Sequence, residues 1–289
     1  MKIAVIGGNG FLGSHVYDQL LNIYKRNIYM IDINIDKYKG KNIIQGDISD
    51  FNFIKNKLKG IDVVYHFAGI SSLDFAYNNP TQTVKSNILG TINILEACKI
   101  NKVKKIVFAS SMYVAGNHGS FYRCSKAACE DYIKEYHQRY KLKYSILRYG
   151  SLYGPRSNKE NGLFRMVEKA IKDKELIYYG DTNSRREYIH VEDAAKASLD
   201  CLKNFHNKTI KITGNQSLKV TDLLETVREI LKIKKKIKVI NKKQKGHYTL
   251  VPHNYDDKLV MKYSINPFVD LGEGIKSLII YIKKKKINF

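Results

Sequence analysis

The stretch "KIAVIGGNGFLG", Lys2–Gly13, runs from an uninterrupted apolar segment straight into glycines at positions 7, 10 and 13. A continuous apolar run suits a strand buried on both faces of a parallel sheet. Gly7 lets the chain double back, Gly10 lets backbone approach a pyrophosphate, and Gly13 lets the next helix pack close to the sheet. The N-terminus of that helix offers unpaired N–H groups to an anion. Three glycines alone carry little weight. Set between a buried strand and the amphipathic "FLGSHVYDQLLNIY", they predict a dinucleotide-binding turn.

The pattern continues along the chain. "NIYMIDI", "NIIQGD", "IDVVYHFAG", "KKIVFASS" and "KYSILRYG" read as further strands. "TVKSNILGTINILEACKI" and "YRCSKAACEDYIKEYHQRY" read as helices between them. Such alternation predicts a Rossmann-like, doubly wound parallel α/β sheet. After "YGPR" the pattern loosens. "NGLFRMVEKAIKDKEL" reads as a helix, "IYYG" as a short strand and "REYIHVEDAAKASLDCL" as a strand leading into a helix. The expected division is an NAD-binding domain over 1–155 and a smaller α/β substrate lobe over 156–289 that shares elements with the sheet.

The 289 residues are 44% hydrophobic, enough for a sizeable core without staples. Cys98, Cys124, Cys129 and Cys201 form no C-x-x-C pair, which argues against a zinc site or a disulfide framework and suits a reducing compartment. No targeting segment precedes the first strand and no apolar run is long enough to span a bilayer, so a cytoplasmic protein is expected. The formal net charge is +23, and residues 201–289 hold 20 Lys and Arg against 7 Asp and Glu. Charge runs supply no base-reading chemistry, so solvated lysine faces are expected rather than a nucleic-acid surface. "KIKKKIKVINKKQK" (232–245) alternates like a half-exposed strand, and "KKKK" (283–286) reads as a frayed end.

Two constellations carry chemistry. Asp32 closes the second strand, where a carboxylate accepts from adenosine ribose hydroxyls and repels a 2′-phosphate, favouring NAD over NADP. Asp47, after the third strand, either meets the adenine or opens the next helix. Tyr122 and Lys126 stand four residues apart on one predicted helix face. A free Tyr has a pKa near ~10. A neighbouring ammonium and an oxidised nicotinamide are expected to lower it, so that Tyr122 takes a hydroxyl proton while hydride leaves the same carbon. Lys126 would also bind the nicotinamide ribose, and Ser111 would hold the reacting hydroxyl.

With "GGNGFLG", "GDISD", "HFAG", "NILGTINILEAC", "FASSMYVAG", "YRCSK", "RYGSLYGPR" and "RREYIHVEDAAKA" in place, nearly the whole chain resembles the extended short-chain dehydrogenase/reductases, in the NAD-dependent epimerase/dehydratase branch that acts on nucleotide sugars. The resemblance implies NAD on the Rossmann domain, a UDP-, GDP- or dTDP-linked sugar against the lobe, and a homodimer formed through helices that include 121–140. It implies Ser111, Tyr122 and Lys126 as the catalytic triad. Phe11 and Leu12 would give backbone N–H groups to the pyrophosphate. Ile48, Phe67, Ala68 and Gly69 would line the cofactor, with Asn87 and Tyr149 seating it. Arg186 would pair with the substrate phosphates, the alternative being a surface ion pair with Glu187 or Glu192; Tyr179 would join it on the substrate side.

The chain departs from the family pattern at several points. The 4,6-dehydratases carry an Asp–Glu pair directly after the triad Ser/Thr. Met112 and Tyr113 stand there, and elimination of water needs an acid and a base. The expected reaction is therefore oxidation at C4, as a 4-epimerase or else as a 4-dehydrogenase that releases a keto sugar. Only Asn117–Phe121 separate Gly116 from Tyr122, a short covering loop that would admit a bulkier sugar such as a heptose. Ser151 replaces a substrate-contacting Asn, and Lys245 or His247 would replace a phosphate-binding Arg. A non-catalytic NAD or RNA binder is opposed by the intact triad. An NADP-dependent reductase of a lipid or phenolic ketone is opposed by Asp32.

Overall fold

The computed structural model describes residues 1–36, 38–242, 246–251 and 260–287. Its strands are β1 (Ile3–Ile6), β2 (Ile28–Asp32), β3 (Ile43–Gln45), β4 (Val63–His66), β5 (Lys105–Ser111), β6 (Lys143–Tyr149), β7 (Ser151–Tyr153), β8 (Ile177–Tyr179), β9 (Arg185–His190), β10 (Lys208–Ile212), β11 (Ser217–Lys219), β12 (Lys238–Ile240) and β13 (Met261–Lys262). The helices are α1 (Phe11–Tyr24), α2 (Phe51–Lys57), α3 (Leu73–Asn78), α4 (Pro80–Thr83), α5 (Gly90–Ile100), α6 (Ser120–Tyr140), α7 (Gly162–Asp173), α8 (Val191–Asn204), α9 (Val220–Ile230) and α10 (Leu271–Ile287). A π-helical turn, Val84–Leu89, leads into α5.

Eight strands form one parallel sheet in the order β13-β10-β6-β5-β4-β1-β2-β3. The six strands expected from the sequence occupy its centre and one edge, and β10 and β13, from the later part of the chain, extend it. β1 shows why both faces are covered: Ile3 and Val5 enter one core with α1 and α8, while Ala4 and Ile6 enter the other with α2, α5 and α6. β1 pairs with β2 on one side and β4 on the other, so the strand order reverses at β1–β4. A crevice outside the carboxyl ends of the strands at such a reversal is where this architecture binds ligands.

A third core lies in the later residues, where Leu163, Phe164 and Val167 of α7 meet Leu223 and Leu224 of α9 and Ile275 and Leu278 of α10. β7, β9 and β11 form a small sheet beside it, and β8 pairs with β12. Two sequence expectations are corrected here. Of "KIKKKIKVINKKQK" only Lys238–Ile240 is strand among the described residues; residues 243–245 lie outside them. Ile233 is buried in the third core, and Lys232 turns the chain with φ +54°, so the alternation does not mark one extended edge. "KKKK" continues α10 instead of fraying, because Ile275, Leu278, Ile279 and Ile282 repeat at helical spacing and hold the helix down.

Candidate active site

The glycine turn sits at the head of the crevice. Gly7 adopts φ +83° and donates to the Ile31 carbonyl at 2.8 Å. A Cβ on Gly7 would lie 2.4 Å from the Ala68 nitrogen, and one on Gly13 would lie 2.1 Å from the Gly7 oxygen. A Cβ on Gly10 would meet only the Gly7 oxygen, at 3.2 Å, so Gly7 and Gly13 serve close packing while Gly10 leaves an open face. Gly10 caps α1 with no side-chain hydrogen bond. Phe11 and Leu12 turn their side chains to the first core, which leaves the uncapped α1 terminus to an anion. Asp32 accepts from the Asn9 N–H at 2.9 Å and the Asn34 N–H at 3.1 Å, which fixes its carboxylate beside the turn. This cradle fits a dinucleotide.

Other residues expected at the cofactor make contacts within the protein. Phe67 and Ala68 both donate to the Ile6 carbonyl, and Gly69 takes φ +136° beside Asn87. The Asn87 amide is spent on Ile70 N–H (2.7 Å), the Ile70 carbonyl (3.0 Å) and Ser125 (2.9 Å). It clamps the loop after β4 to α6. The Tyr149 hydroxyl is likewise committed, at 2.7 Å to Ser198 inside the core. Asp47 is exposed, accepts from Ser49 N–H at 2.8 Å and opens the turn into α2, while Ile48 is buried against Gly90.

Ser111 at the end of β5 and Tyr122 in the first turn of α6 are brought together, the Ser111 hydroxyl also accepting from Tyr113 N–H at 3.3 Å. Burial pushes the Tyr122 phenol above its ordinary value, and the Ser111 hydrogen bond opposes the shift. Lys126 donates to the Ala109 carbonyl at 2.8 Å and lies 4.8 Å from the Phe108 ring centroid. Burial pulls the Lys126 pKa down. Lys126 and an oxidised nicotinamide were together expected to lower Tyr122; in the protein alone, desolvation prevails.

Beyond Tyr122, rings step to Arg186. The Tyr122 and Tyr113 centroids are 6.3 Å apart at 81°, and those of Tyr113 and Tyr248 are 4.8 Å apart. The Arg186 guanidinium sits 4.3 Å from the Tyr248 centroid. Arg186 is buried and donates to the Arg185 carbonyl at 2.8 Å. Glu187 pairs with Lys262 instead, and Arg186 enters no ion pair among the described residues. Ser151 hydrogen-bonds Tyr248. His247 meets the Tyr113 hydroxyl at 3.2 Å through Nδ1, whereas the sequence suggested a phosphate partner; Lys245 lies outside the described residues. Tyr179 ends β8, exposed on the lobe.

The sequence matches the NAD dependent epimerase/dehydratase family over residues 3–213. The chain belongs to that family. It is an NAD-dependent enzyme of the short-chain dehydrogenase/reductase type. A putative UDP-glucose 4-epimerase of Methanocaldococcus jannaschii is 32% identical over 306 residues, covering 97% of this chain and 98% of the relative. A UDP-glucose 4-epimerase from Thermotoga maritima, solved with UDP-glucose, superposes with a TM-score of 0.86 at 26% identity over 99% of this chain and 100% of that one. A UDP-glucuronic acid 4-epimerase from Bacillus cereus, solved with UDP-glucuronic acid and NAD, gives 0.85 at 25% identity over the same shares.

Within this family member, two contributors escaped the sequence reading. Tyr248 arrives from a segment with no recognisable motif; Arg185 N–H donates to the Thr249 carbonyl at 2.8 Å and ties that segment to β9. Glu130 lies four residues beyond Lys126 on the same face of α6 and is buried. That spacing of an acid on an apolar face was the available signal.

Proposed function

We propose that the protein is a UDP-sugar 4-epimerase working in the cytoplasm. The observation that carries this reading is the Ser111–Tyr122 pair facing a ring ladder that ends at a buried guanidinium with no carboxylate partner among the described residues. Tyr122 takes the C4 hydroxyl proton on its phenolate oxygen and later returns it. Ser111 holds that hydroxyl in line, and Lys126 fixes the end of β5 beside it. Arg186 receives the diphosphate. Held at the glycine turn and Asp32, NAD would supply the hydride-transfer chemistry at C4. Met112 and Tyr113 offer neither the acid nor the base that elimination needs; burial pushes the Tyr113 phenol far up. Dehydration is therefore not part of the reading.

Arg186→Ala should weaken UDP-sugar binding about 100-fold, the loss of roughly 2–3 kcal/mol of charge-assisted hydrogen bonding, and leave NAD affinity unchanged. Titration calorimetry with UDP-glucose and with NAD separates the two. Equal weakening of both would place the residue in the frame and not at the phosphates.

The same reading includes a homodimer. Leu89 of the π-helical turn, with Phe121, Tyr132 and Tyr140 of α6, exposes large apolar or aromatic surface on neighbouring elements. Light scattering should give twice the 33.3 kDa chain mass; a monomer at micromolar concentration would contradict it. A role in surface-polysaccharide synthesis extends this proposal.

A further inference from the structure

Tyr113 occupies the position two residues after Ser111, and its surroundings are built for it. Gly119, with φ +107°, leaves the room: a Cβ there would lie 2.8 Å from Tyr113 Cδ1. The short loop before Tyr122 therefore packs onto the Tyr113 ring and does not simply widen the site. The Tyr248 ring packs against that ring at a tilt of 53°, and His247 shares a hydrogen bond with its hydroxyl. Burial, helped by Arg186 and Arg165, pulls His247 below its ordinary value, so the imidazole that shares a hydrogen bond with the Tyr113 hydroxyl is neutral at neutral pH. Tyr113 stays neutral as well.

The charges around this wall are few. Arg186 bears on Tyr113, and Arg186, Asp74 and Arg165 bear on His247. Arg165 is turned to the carbonyls of Lys159 and Glu160 at 2.7 and 3.2 Å. Among the described residues, the one cation facing the ring ladder is thus Arg186, which the proposed function commits to the diphosphate. A group that reaches Tyr113 from a sugar held at Tyr122 meets the uncharged Tyr113, His247 and Tyr248 side chains. A carboxylate placed there would be desolvated with no counter-charge but Arg186 among the described residues, which costs far more than burying a neutral group.

We propose that the Tyr113–His247 wall restricts the site to nucleotide sugars that are uncharged beside the reacting carbon, hexoses in preference to uronic acids. The proposal rests on the placement of the sugar between Tyr122 and Arg186 in the function proposed above. Its test is binding to the NAD-loaded full chain, so it does not require turnover. UDP-glucose should bind about 10- to 100-fold more tightly than UDP-glucuronate, the range expected for an uncompensated buried polar group. Tyr113→Ala and His247→Ala, each opening the wall to water, should bring that ratio to within about threefold, whereas Tyr113→Phe keeps the ring and should keep the preference. Circular dichroism confirms that each variant is folded; the wild-type ratio and the Phe variant decide the matter if an Ala variant is not.

Equal or tighter binding of UDP-glucuronate by the wild-type protein overturns the proposal, as does a preference that survives in both Ala variants or collapses in Tyr113→Phe. If the predicted binding preference holds but no C4 epimer forms, the wall stands and the epimerase reading fails. If UDP-glucuronate is epimerised in preference, the reverse is true.

Discussion

Tyr122→Phe should slow sugar oxidation about a thousandfold or more while NAD binds as before. General acid–base groups contribute roughly 10²–10⁴ in rate, and Tyr122 is the group whose oxygen meets Ser111. The substitution keeps the buried ring and its edge contact with Tyr113, so the loss falls on chemistry and not on packing. About 4 kcal/mol of barrier corresponds to that factor. Burial raises the phenol, so its basic form grows as pH rises, and the wild-type oxidation rate should climb with pH. Single-turnover NADH formation reports the rate, and equilibrium NAD binding reports the frame. A variant within tenfold of wild type would mean that another group takes the proton.

Glu130→Ala should cost about 3–5 kcal/mol of stability, the price of breaking a buried ion pair from one side. The Glu130 carboxylate is 1% exposed and receives Arg148 bidentately at 2.9 and 2.7 Å, with the Ser110 hydroxyl at 2.5 Å. Ser110 adjoins Ser111 on β5, Arg148 lies on β6, and Glu130 shares α6 with Tyr122 and Lys126. The network therefore locks the helix that carries Tyr122 against the strand that carries Ser111. The melting temperature should fall by roughly 10 °C. Residual folded enzyme should lose activity more than NAD affinity, because the glycine turn lies on other elements. A melting shift under 2 °C at neutral pH would show the pair to be replaceable by water.

The central sheet was legible because β1 is apolar on consecutive residues and runs into glycines that backbone sterics demand, and further apolar runs alternate with helical spacing after it. Gly7 was readable as the glycine at which the chain turns and Gly13 as a packing glycine, and the structure gives the atoms a side chain on either would strike. Ser111, Tyr122 and Lys126 were legible as a set through helical spacing and strand position. The electrostatics were not. The direction of the Tyr122 shift depends on how deeply the phenol is buried against the opposing pull of Ser111, and the depth of burial is not encoded in spacing. Asn87 and Tyr149 were placed near the right loops, but their polar atoms face Ile70, Ser125 and Ser198. The Arg186–Tyr248–Tyr113 ladder was illegible because it joins segments more than sixty residues apart with no motif around Tyr248.

The central claim is that the chain oxidises and re-reduces a UDP-sugar at C4 with its own NAD. Purified protein, NAD and UDP-glucose, followed together by NADH absorbance and by proton NMR of the sugar, test it directly. The account predicts the C4 epimer in solution with no net NADH. Stoichiometric NADH with a released keto sugar would contradict the epimerase and establish a dehydrogenase; no change in either signal with any UDP-sugar would contradict the account as a whole.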